Sequence, residues 1–500
     1  MKVLKYKWLG LGLLIILAYF ILRIPHLTSQ PIFVDEAIYI RWAQVMRAEP
    51  TLRFLPLSDG KTPLFMWAMI PFFKIFKDPL VAGRMLSVMA GFTILSGIFA
   101  ISWRIFGKRV ALWSVLLYAI IPYDVFFNRM ALVDTTLAAF STWSLYFAIW
   151  LLQKPRLDLA MILGYFLGGA WLTKTPAFAN LIALPFTMIG FNFKSKKMVK
   201  LIIFWGVAIG IALVMYNSLR LGPNFDELSK RNNDYIFSVQ ELARRPWDPF
   251  IPHVIDLAMW FPPLVTWPVL ILIFVGIGFV IRDKNKLGLA VLFWILIPLL
   301  LLTFFLKTFT ARYLLISKPS LLIFAGFGIE SLIGILMKYK KLKISRIFWE
   351  IIFFVLSLPL ALYFDYLILT NLPAAPLPIE ERKGYLEDWT AGYGFSEIAQ
   401  FLISQQQKGP IIVGTEGYFG TLPDGLEIYL DKSGIPIVGG SSYISSDLRK
   451  AAVNNTVYFI GNKNRVGIRL ENVKLIKEYK KAVPLDGGPQ DSIVVYQVYP

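Results

Sequence analysis

Cysteine is absent from the 500-residue sequence, and histidine occurs only twice, as His26 and His253. No disulfide can therefore brace an external part of the chain, and a cysteine-ligated metal site is excluded. Acidic residues are also few, since 32 Asp and Glu stand against 51 Lys and Arg, which gives a net charge of +19. A pair of adjacent carboxylates stands out in such a chain.

The positive charge is not spread evenly along the sequence. Residues 371–500 hold 13 Lys and Arg against 14 Asp and Glu, whereas residues 1–370 hold 38 against 18. The excess thus belongs to the part that is rich in apolar runs, where the positive-inside rule accounts for basic loops. This distribution disfavours a nucleic-acid partner.

Long hydrophobic runs dominate the first 370 residues. Hydrophobic residues make up 56% of the chain and the mean hydropathy is +0.60, and runs such as Leu201–Leu219 approach the roughly 20 residues that a membrane helix needs. The first run is predicted to stay as a membrane helix, because residues 24–30 lack the small-x-small pattern of a signal-peptide cleavage site. The sequence predicts a polytopic α-helical membrane protein with about eleven spans, near 8–24, 80–103, 110–124, 133–152, 159–173, 176–191, 201–219, 258–281, 287–306, 313–337 and 347–369.

Alternate connections between the predicted spans carry most of the basic residues. Together these six connections hold 20 Lys and Arg but only two acids, Asp158 and Asp283, which predicts that they are cytoplasmic. The N-terminus is then cytoplasmic, and the C-terminal part lies outside the plasma membrane. Two of the external loops are long, 25–79 and 221–257.

The sequence pattern changes after the last predicted span. Residues 371–384 are typical of a proline-rich linker, and residues 385–500 are typical of a soluble α/β domain on the external side. The chain thus divides into a membrane domain, 1–370, the linker and the external domain. The predicted elements of the external domain are helices at 396–407 and from after Pro423 to Leu430, and strands at 410–414, 435–438, 456–460 and 492–498.

The adjacent carboxylates Asp35 and Glu36 lie just after the first predicted span. Apolar residues follow them at the spacing of one helix face, from Ile38 to Met46. Asp35 therefore occupies the expected N-cap position, a role worth about 1 kcal/mol, and Glu36 lies in the first turn. Capping alone would account for Asp35, so a functional role depends on the other residues of the chain.

Asp35 and Glu36 belong to a larger set of ionisable residues that lie at the same level of the predicted topology, at or near the external ends of several spans. Such groups at membrane depth are costly and usually functional, although each could also be an interfacial side chain that reaches water. Their convergence from several elements favours a single site. The set comprises Asp35, Glu36, Lys61, Arg84, Asp124, Arg129, Asp134, Lys174, Lys307 and Arg312.

Five short strings that contain members of this set resemble motifs of one family. The family is the protein O-mannosyltransferase and aminoarabinose transferase group of GT-C glycosyltransferases. The matching strings are Val34–Tyr39 (VDEAIY), Asp59–Leu64 (DGKTPL), Asn128–Thr135 (NRMALVDT), Leu172–Pro176 (LTKTP) and Ala311–Leu314 (ARYL). They follow the order of the family through the membrane part, and Thr415–Leu426 is similar to a segment of bacterial members with a soluble tail.

This resemblance implies an inverting glycosyltransferase that moves a sugar from a polyprenyl-phosphate donor to a protein, lipid or glycan acceptor at the outer face. Asp35 matches the catalytic acid of the family and would take the proton of the acceptor hydroxyl as general base. Glu36 would orient the acceptor or help to bind a divalent metal ion. A transporter or flippase for lipid-linked sugars is the alternative, but its ionisable groups should lie nearer the bilayer midplane.

The leaving group of such a transfer is a lipid phosphate, and preorganised cations stabilise its growing charge. Lys61 and Arg312 are the first candidates for this role, since a guanidinium can hold a phosphate through two parallel hydrogen bonds. Arg129 and Tyr313 would support them in binding the donor phosphate.

Two further residues belong to the expected site. Asp134 matches a second acid of the family and would bind sugar, metal or a neighbouring cation; pairing with Arg129 is its alternative role. Lys174 lies in a matching string, and the resemblance implies a role in binding substrate or metal for it as well. The identities of the sugar and the acceptor stay open at this point.

Overall fold

The structure, a computed structural model, is a helical membrane part followed by a mixed α/β part. It describes residues 2–193, 196–245, 247–338, 344–440, 442–467 and 472–500, with side chains described from Trp8 onwards. The α-helices of the membrane part are α1 (Lys2–Ile21), α2 (Val34–Ala48), α3 (Leu64–Met69), α4 (Phe72–Ile75), α5 (Pro79–Phe106), α6 (Lys108–Ile120), α7 (Pro122–Asn128), α8 (Val133–Gln153), α9 (Leu157–Thr173), α10 (Phe178–Phe186), α11 (Met198–Asn217), α12 (Glu227–Tyr235), α13 (Val239–Arg244), α14 (Phe250–Val265), α15 (Trp267–Arg282), α16 (Lys286–Phe305), α17 (Lys318–Leu336), α18 (Arg346–Ser357) and α19 (Pro359–Thr370).

The apolar helices agree in position with the predicted spans. Among the described residues, five helical segments are long and apolar enough to cross a membrane: Pro79–Phe106, Val133–Gln153, Met198–Leu221, Lys286–Phe305 and Lys318–Leu336. Three bent helix pairs raise this number to eight if each pair forms one span. The other three predicted spans fall on shorter apolar helical segments, Trp8–Ile21, Leu157–Thr173 and Thr175–Gly190. The helical membrane architecture is confirmed, whereas the number of eleven spans stays a prediction.

Prolines mark the breaks in two of the three bent pairs. Helices α6 and α7 meet at 58° before Pro122, and α18 and α19 meet at 44° before Pro359. The bend between α14 and α15 is 111°, at Thr266, where φ is 71°. Proline cannot donate a backbone hydrogen bond and disfavours helical geometry in the residue before it. Two helices therefore occupy the region of the predicted continuous span 258–281, and α14 begins inside the predicted loop 221–257.

The sequence encodes the start of helix α5, just after the segment that contains α2, α3 and α4. Asp78 precedes Pro79, and its Oδ1 accepts hydrogen bonds from two backbone N–H groups of the first turn, at 2.8 and 3.1 Å. This is the preferred combination of an N-cap carboxylate with proline at the first helical position. A Cβ added to Gly83 would lie 2.9 Å from the Cβ of Ala131. The small residue thus permits close packing beside Arg84.

The C-terminal part contains a five-stranded mixed sheet. Its strands are β3 (Ile411–Thr415), β4 (Ile437–Gly439), β5 (Thr456–Asn462), β6 (Val473–Lys480) and β7 (Ser492–Val498). They lie in the order β4-β3-β5-β7-β6, in which β4, β3 and β5 are parallel and β5, β7 and β6 antiparallel. All four predicted strands and both predicted helices are present within a few residues. The α-helices after α19 are α20 (Ile379–Arg382), α21 (Phe395–Gln406), α22 (Asp424–Leu430) and α23 (Ser446–Ala451).

Residues 379–392, here called the bridging segment, connect the two parts. A short strand β1 (Ile32–Phe33) pairs antiparallel with β2 (Ala391–Gly392) at the end of this segment. The ring of Tyr385 packs against the ring of Phe33, with centroids 4.5 Å apart. Part of the predicted linker, together with the first residues of the predicted external domain, therefore packs directly on the residues that precede Asp35.

Helix α2 provides the second contact between the two parts. Arg41 binds Glu427 and Asp431 of the α22 region at 2.8 and 2.7 Å, and the Gln44 amide donates to the carbonyl oxygen of Ile428. One continuous hydrophobic cluster runs from α1 to the C-terminal sheet. These contacts place the α/β part against the segment that contains the carboxylate pair.

Candidate functional site

Asp35 is the centre of a small ionic cluster. Its Oδ2 lies 2.6 Å from an Nη1 of Arg312, and its Oδ1 lies 3.7 Å from the Nζ of Lys61. All three side chains are largely buried, with exposed fractions of 17%, 11% and 23%. Helix α2 starts at Val34, so Asp35 is its second residue. The predicted N-cap role is therefore wrong, because the cap position belongs to Phe33.

The two cations determine the acidity of Asp35. Burial by itself raises the pKa of the carboxyl group, but Arg312 and then Lys61 together lower it by more. The pKa of Asp35 falls from its ordinary value of 3.8 to about 2. Asp35 is thus ionised at neutral pH, and it is a weak base as long as both cations hold it.

Lys61 is presented by a tight turn and surrounded by aromatic rings. Gly60 before it adopts a left-handed backbone, with φ of 63°, a geometry that glycine adopts without strain. The Lys61 Nζ lies 5.3 Å from the ring centroid of Tyr39 and 5.5 Å from that of Trp42, and 3.3 Å from an oxygen of Asp59. Cation–π contacts of this kind hold an ammonium group in place while leaving it able to bind an anion.

Arg312 lies in a 3₁₀ turn, Ala311–Ile316, between α16 and α17. Its guanidinium carbon lies 5.1 Å from the ring centroid of Phe33 and 5.4 Å from that of Tyr313. One edge of the guanidinium binds Asp35, and its Nε has no hydrogen-bond partner. Arg312 therefore keeps unused donor capacity next to Asp35.

Lys174 and Asp134 form a second ion pair at the same site. The Lys174 Nζ lies 2.6 Å from Asp134 Oδ1 and 3.9 Å from the ring centroid of Tyr313. Tyr313 adjoins Arg312, and Lys174 contributes to the low pKa of Asp35, so this pair belongs to the Asp35 cluster. Asp134 thus pairs with Lys174, and the predicted alternative of a pair with Arg129 is not found.

Glu36 has a different environment from its neighbour. Its two oxygens bind Arg84 in a two-pronged arrangement, with both distances at 2.9 Å. They also accept backbone N–H groups of Phe33 at 3.0 Å and Ala131 at 2.7 Å. The side chains of Glu36 and Arg84 are both fully buried. Glu36 therefore joins α2, α5 and the start of α8 rather than presenting a free oxygen to a ligand.

The carboxylates present do not fit the predicted divalent metal ion. Each oxygen of Glu36 already has two donors, and Asp35 is bound by two cations. Within the ranges that the structure describes, no group of three or more Asp, Glu or His side chains is close enough to hold a metal. A divalent ion generally requires several oxygen ligands, so no step of the chemistry is assigned to one.

Arg129, predicted to bind phosphate, instead anchors the turn after α1. Its two terminal nitrogens donate to the backbone carbonyls of Arg23, Pro25 and His26, at 2.9, 2.9 and 2.7 Å. Backbone carbonyls that follow a helix need such partners when they are buried. The contacts of Arg129 thus indicate a structural role.

Two more residues of the predicted set have other partners. Lys307 donates to the carbonyl oxygen of Asn233 at 2.8 Å, so it contacts the segment around α12. Asp124 forms a buried ion pair with Lys318, a residue outside the predicted set. Both residues lie outside the set of direct contacts around Asp35.

Three residues that sequence reasoning missed contribute to the site. Tyr39 and Trp42 follow Asp35 at helical spacings of four and seven residues, so the periodicity of α2 could have identified them. Glu381 accepts the backbone N–H of Ala311 at 2.8 Å. No sequence signal marks it, because it lies in the bridging segment far along the chain.

A cavity of about 270 Å³ lies beside Arg312. Its volume is close to the lower limit of roughly 300 Å³ for pockets that bind small molecules. The walls combine aromatic rings and carboxylates with the guanidinium of Arg312. They are formed by Phe33, Asp256, Trp260, Phe309, Thr310, Arg312, Glu380, Glu381, Gly384 and Tyr385.

Residues 60–218 match the model of the dolichyl-phosphate-mannose-protein mannosyltransferase family. The matched region includes Lys61, Asp134 and Lys174, whereas Asp35 and Arg312 lie on either side of it. A search of curated protein sequences finds no significant match.

Solved structures match nearly the whole chain. ArnT from Cupriavidus metallidurans bound to undecaprenyl phosphate is 15% identical, with a TM-score of 0.60, and the match covers 97% of both chains. The apo form of that protein gives 14% identity and a TM-score of 0.58, with 99% and 98% coverage. The archaeal oligosaccharyltransferase AglB from Archaeoglobus fulgidus, in complex with an inhibitory peptide and a dolichol-phosphate, is 13% identical, with a TM-score of 0.52. That match covers 92% of this chain and 69% of AglB.

These matches show that the chain has the GT-C fold, including a C-terminal part with a sheet. Together with the family match, they confirm the resemblance that the sequence motifs predicted. They give no support to the alternative of a transporter or flippase.

Proposed function

We propose that this chain, a membrane glycosyltransferase of the GT-C class, transfers a sugar from a polyprenyl-phosphate donor to an acceptor at the outer face of the membrane. The observation that carries the proposal is the contact of Asp35 with both Arg312 and Lys61, from three separate motifs. One potential base and two potential phosphate ligands thus meet at one point. The undecaprenyl phosphate in the ArnT structure and the dolichol-phosphate in the AglB structure support a lipid-linked donor.

Donor binding would change the basicity of Asp35. A phosphodiester at this site attracts the same two cations, Arg312 and Lys61, that hold the carboxylate. As they turn to the phosphate, they stabilise the charged form of Asp35 less, so its pKa rises from about 2. The base thereby becomes stronger when the donor is in place.

The transfer step follows from this arrangement. The acceptor hydroxyl gives its proton to an oxygen of Asp35 while its own oxygen forms a bond to the anomeric carbon. The bond between that carbon and the phosphate oxygen breaks, and its electron pair leaves with the lipid phosphate. Arg312 and Lys61 stabilise the charge that grows on the phosphate. Attack from the side opposite the leaving phosphate inverts the anomeric configuration.

The other residues of the cluster support this chemistry. Lys174 adds positive charge beside Tyr313, and Asp134 holds Lys174 in position at 2.6 Å. The ring of Tyr313 lies near both cations, with its centroid 3.9 Å from the Lys174 Nζ and 5.4 Å from the Arg312 guanidinium carbon. The cavity beside Arg312 provides space for the sugar or for the acceptor, a protein, lipid or glycan.

Replacing Arg312 by alanine is expected to weaken donor binding by about 10–100-fold, the effect of losing a hydrogen bond to a charged group. Arg312→Lys should recover part of the affinity, because it keeps the charge but loses the two-pronged geometry. The measurement is the dissociation constant of polyprenyl methyl phosphate, a phosphodiester like the donor, with purified protein in detergent.

Lys307→Ala is the matched control for Arg312, since Lys307 is also an external cation but binds Asn233. Its affinity for the probe should stay close to that of the parent. Thermal melting checks that each variant is folded. A folded Arg312→Ala protein that binds the probe as well as the parent does would remove Arg312 from the donor site.

The proposed location at the outer face predicts a definite topology. The basic residues of alternate connections would keep those connections in the cytoplasm, so the N-terminus would be inside and the C-terminal part outside. Reporter fusions after Lys284 and after Pro373 are expected to report the cytoplasmic and the external side, respectively. If both fusions report the same side, the proposed orientation of the site is wrong.

A further inference from the structure

Glu381 lies where the bridging segment meets the turn that carries Arg312. It is only 5% exposed, and its Oε1 accepts the backbone N–H of Ala311 at 2.8 Å. The carbonyl oxygen of Ala311 accepts the hydroxyl of Tyr123. Both backbone groups of the residue before Arg312 are therefore held by side chains, which fixes the start of the 3₁₀ turn.

We propose that Glu381 is a positioning residue that acts through Arg312: it holds the turn that presents the guanidinium, and its negative charge opposes an anionic donor there. Donor binding and protonation of Glu381 are then coupled. This inference rests on the proposed function, because it requires a phosphate at Arg312.

The surroundings of Glu381 explain why its charge matters. Burial raises the pKa of this carboxyl group from 4.5 to about 7, the Ala311 hydrogen bond and Arg312 oppose that rise, and Glu380 adds to it. Asp256 of α14 and Tyr385 line the same cavity. Among the groups around this cavity, Arg312 is thus the cation that compensates the Glu381 charge.

An anion at Arg312 alters this balance. It takes up the positive charge that favoured ionised Glu381, and it repels the carboxylate directly, so Glu381 binds a proton more readily in the complex. By linkage, a lower pH then favours donor binding. The affinity should increase as the pH falls through the region near 7, at a slope of up to tenfold per pH unit.

The external part of the chain determines where Glu381 lies. Arg382 next to it forms a buried ion pair with Glu387 and donates to the carbonyl oxygen of Val483 at 3.0 Å. The bridging segment ends in β2, which pairs with β1 just before Asp35. The α/β part thus orients Glu381 against the Arg312 turn, which gives that part a role in the site.

The first experiment measures binding of polyprenyl methyl phosphate to the full-length protein from pH 6 to pH 8. This probe keeps a single negative charge across the range, so any step in affinity comes from the protein. The parent should bind more tightly at pH 6. Glu381→Gln keeps an oxygen for Ala311 but has no charge, so its affinity should be high and independent of pH.

Glu380→Gln is the matched control, because Glu380 is the exposed neighbour in the same cavity. This variant should retain the pH step. The proposal is overturned if the affinity of Glu381→Gln changes with pH as much as that of the parent. It is also overturned if only the Glu380→Gln variant loses the pH dependence.

The second experiment tests whether Glu381 acts through Arg312. Glu381→Ala and Glu381→Gln both lack the charge, but only the alanine variant loses the contact with Ala311. The alanine variant should bind the probe about tenfold more weakly than the glutamine variant, the effect of one hydrogen bond in this range. This difference should vanish when Arg312 is replaced by alanine in both proteins.

If the contact between Glu381 and Ala311 only stabilises the structure, the difference in probe affinity between the alanine and glutamine variants should persist when Arg312 is replaced. That outcome would overturn the inference while leaving the proposed function intact. Absence of probe binding by the folded parent at every pH would instead contradict the proposed function itself.

Discussion

The Asp35→Asn variant is expected to transfer sugar about 10²–10⁴-fold more slowly than the parent, the range for a missing general base. This corresponds to roughly 3–5 kcal/mol of activation free energy. Asparagine has nearly the same shape and can still accept a hydrogen bond from Arg312, but its amide cannot take the proton of the acceptor. The measurement is transfer from radiolabelled polyprenyl-phosphate sugars to membrane extracts by the purified protein.

The contacts of Asp35 allow rate and donor binding to be separated. If Asp35 serves only to hold Arg312 and Lys61, its loss should alter donor affinity and leave the rate at saturation nearly unchanged. If it is the base, the saturated rate should fall, and the affinity for polyprenyl methyl phosphate should be maintained or increase, because the variant no longer competes for both cations. The two roles thus predict opposite patterns for the saturated rate.

Asp59→Asn is the matched control, because Asp59 is the other carboxylate beside Lys61, at 3.3 Å, and it has no contact with Arg312. Its rate should change much less than that of Asp35→Asn. A folded Asp35→Asn protein that stays within about threefold of the parent rate, well short of the loss of a base, would disprove the mechanism.

The sequence was informative where the physical signal is local. Apolar runs of about 20 residues encode membrane helices, and the long apolar helices of the structure lie on predicted spans. One continuous span was predicted at 258–281, whereas the structure bends by 111° between α14 and α15, because an apolar run does not encode the direction of the helix. Strand β6 was missed because its alternating charges suit an exposed edge of a sheet and reduce the apolar signal.

The two adjacent carboxylates show what required the tertiary structure. Asp35 and Glu36 have the same chemistry and neighbouring positions, yet one contacts Arg312 and the other is enclosed by Arg84. A helix turns by about 100° per residue, so neighbouring side chains face different surroundings. Their partners lie far away in the sequence, and Glu381 has the same property, since Ala311 precedes it by 70 residues.

Removing Arg84 is expected to destabilise the fold more than any other single change considered. Arg84→Met would leave Glu36 as a buried, unpaired charge, at a cost of about 3–5 kcal/mol. It would also release the backbone carbonyls of Leu27, Gln30 and Pro31, which accept from Arg84 at 2.7–3.0 Å. We expect a large drop in the melting temperature of the purified protein, and a loss of activity that follows the loss of folded protein.

The double variant Glu36→Gln/Arg84→Met should recover part of that stability, because it buries no net charge while Gln can still accept one of the backbone N–H groups of Phe33 and Ala131. Arg156→Met is the control, since the Arg156–Asp158 pair is 60% and 51% exposed and such pairs contribute only about 0–1 kcal/mol. Added Mg²⁺ or Mn²⁺ should not restore Glu36→Gln, because Glu36 has no oxygen free for a metal. Two results would contradict this structural role of Glu36: an Arg84→Met protein that melts like the parent but has lost transfer, or rescue of Glu36→Gln by a divalent ion. Either result would mean that Glu36 takes part in the chemistry and does not only hold α2 in place beside Asp35.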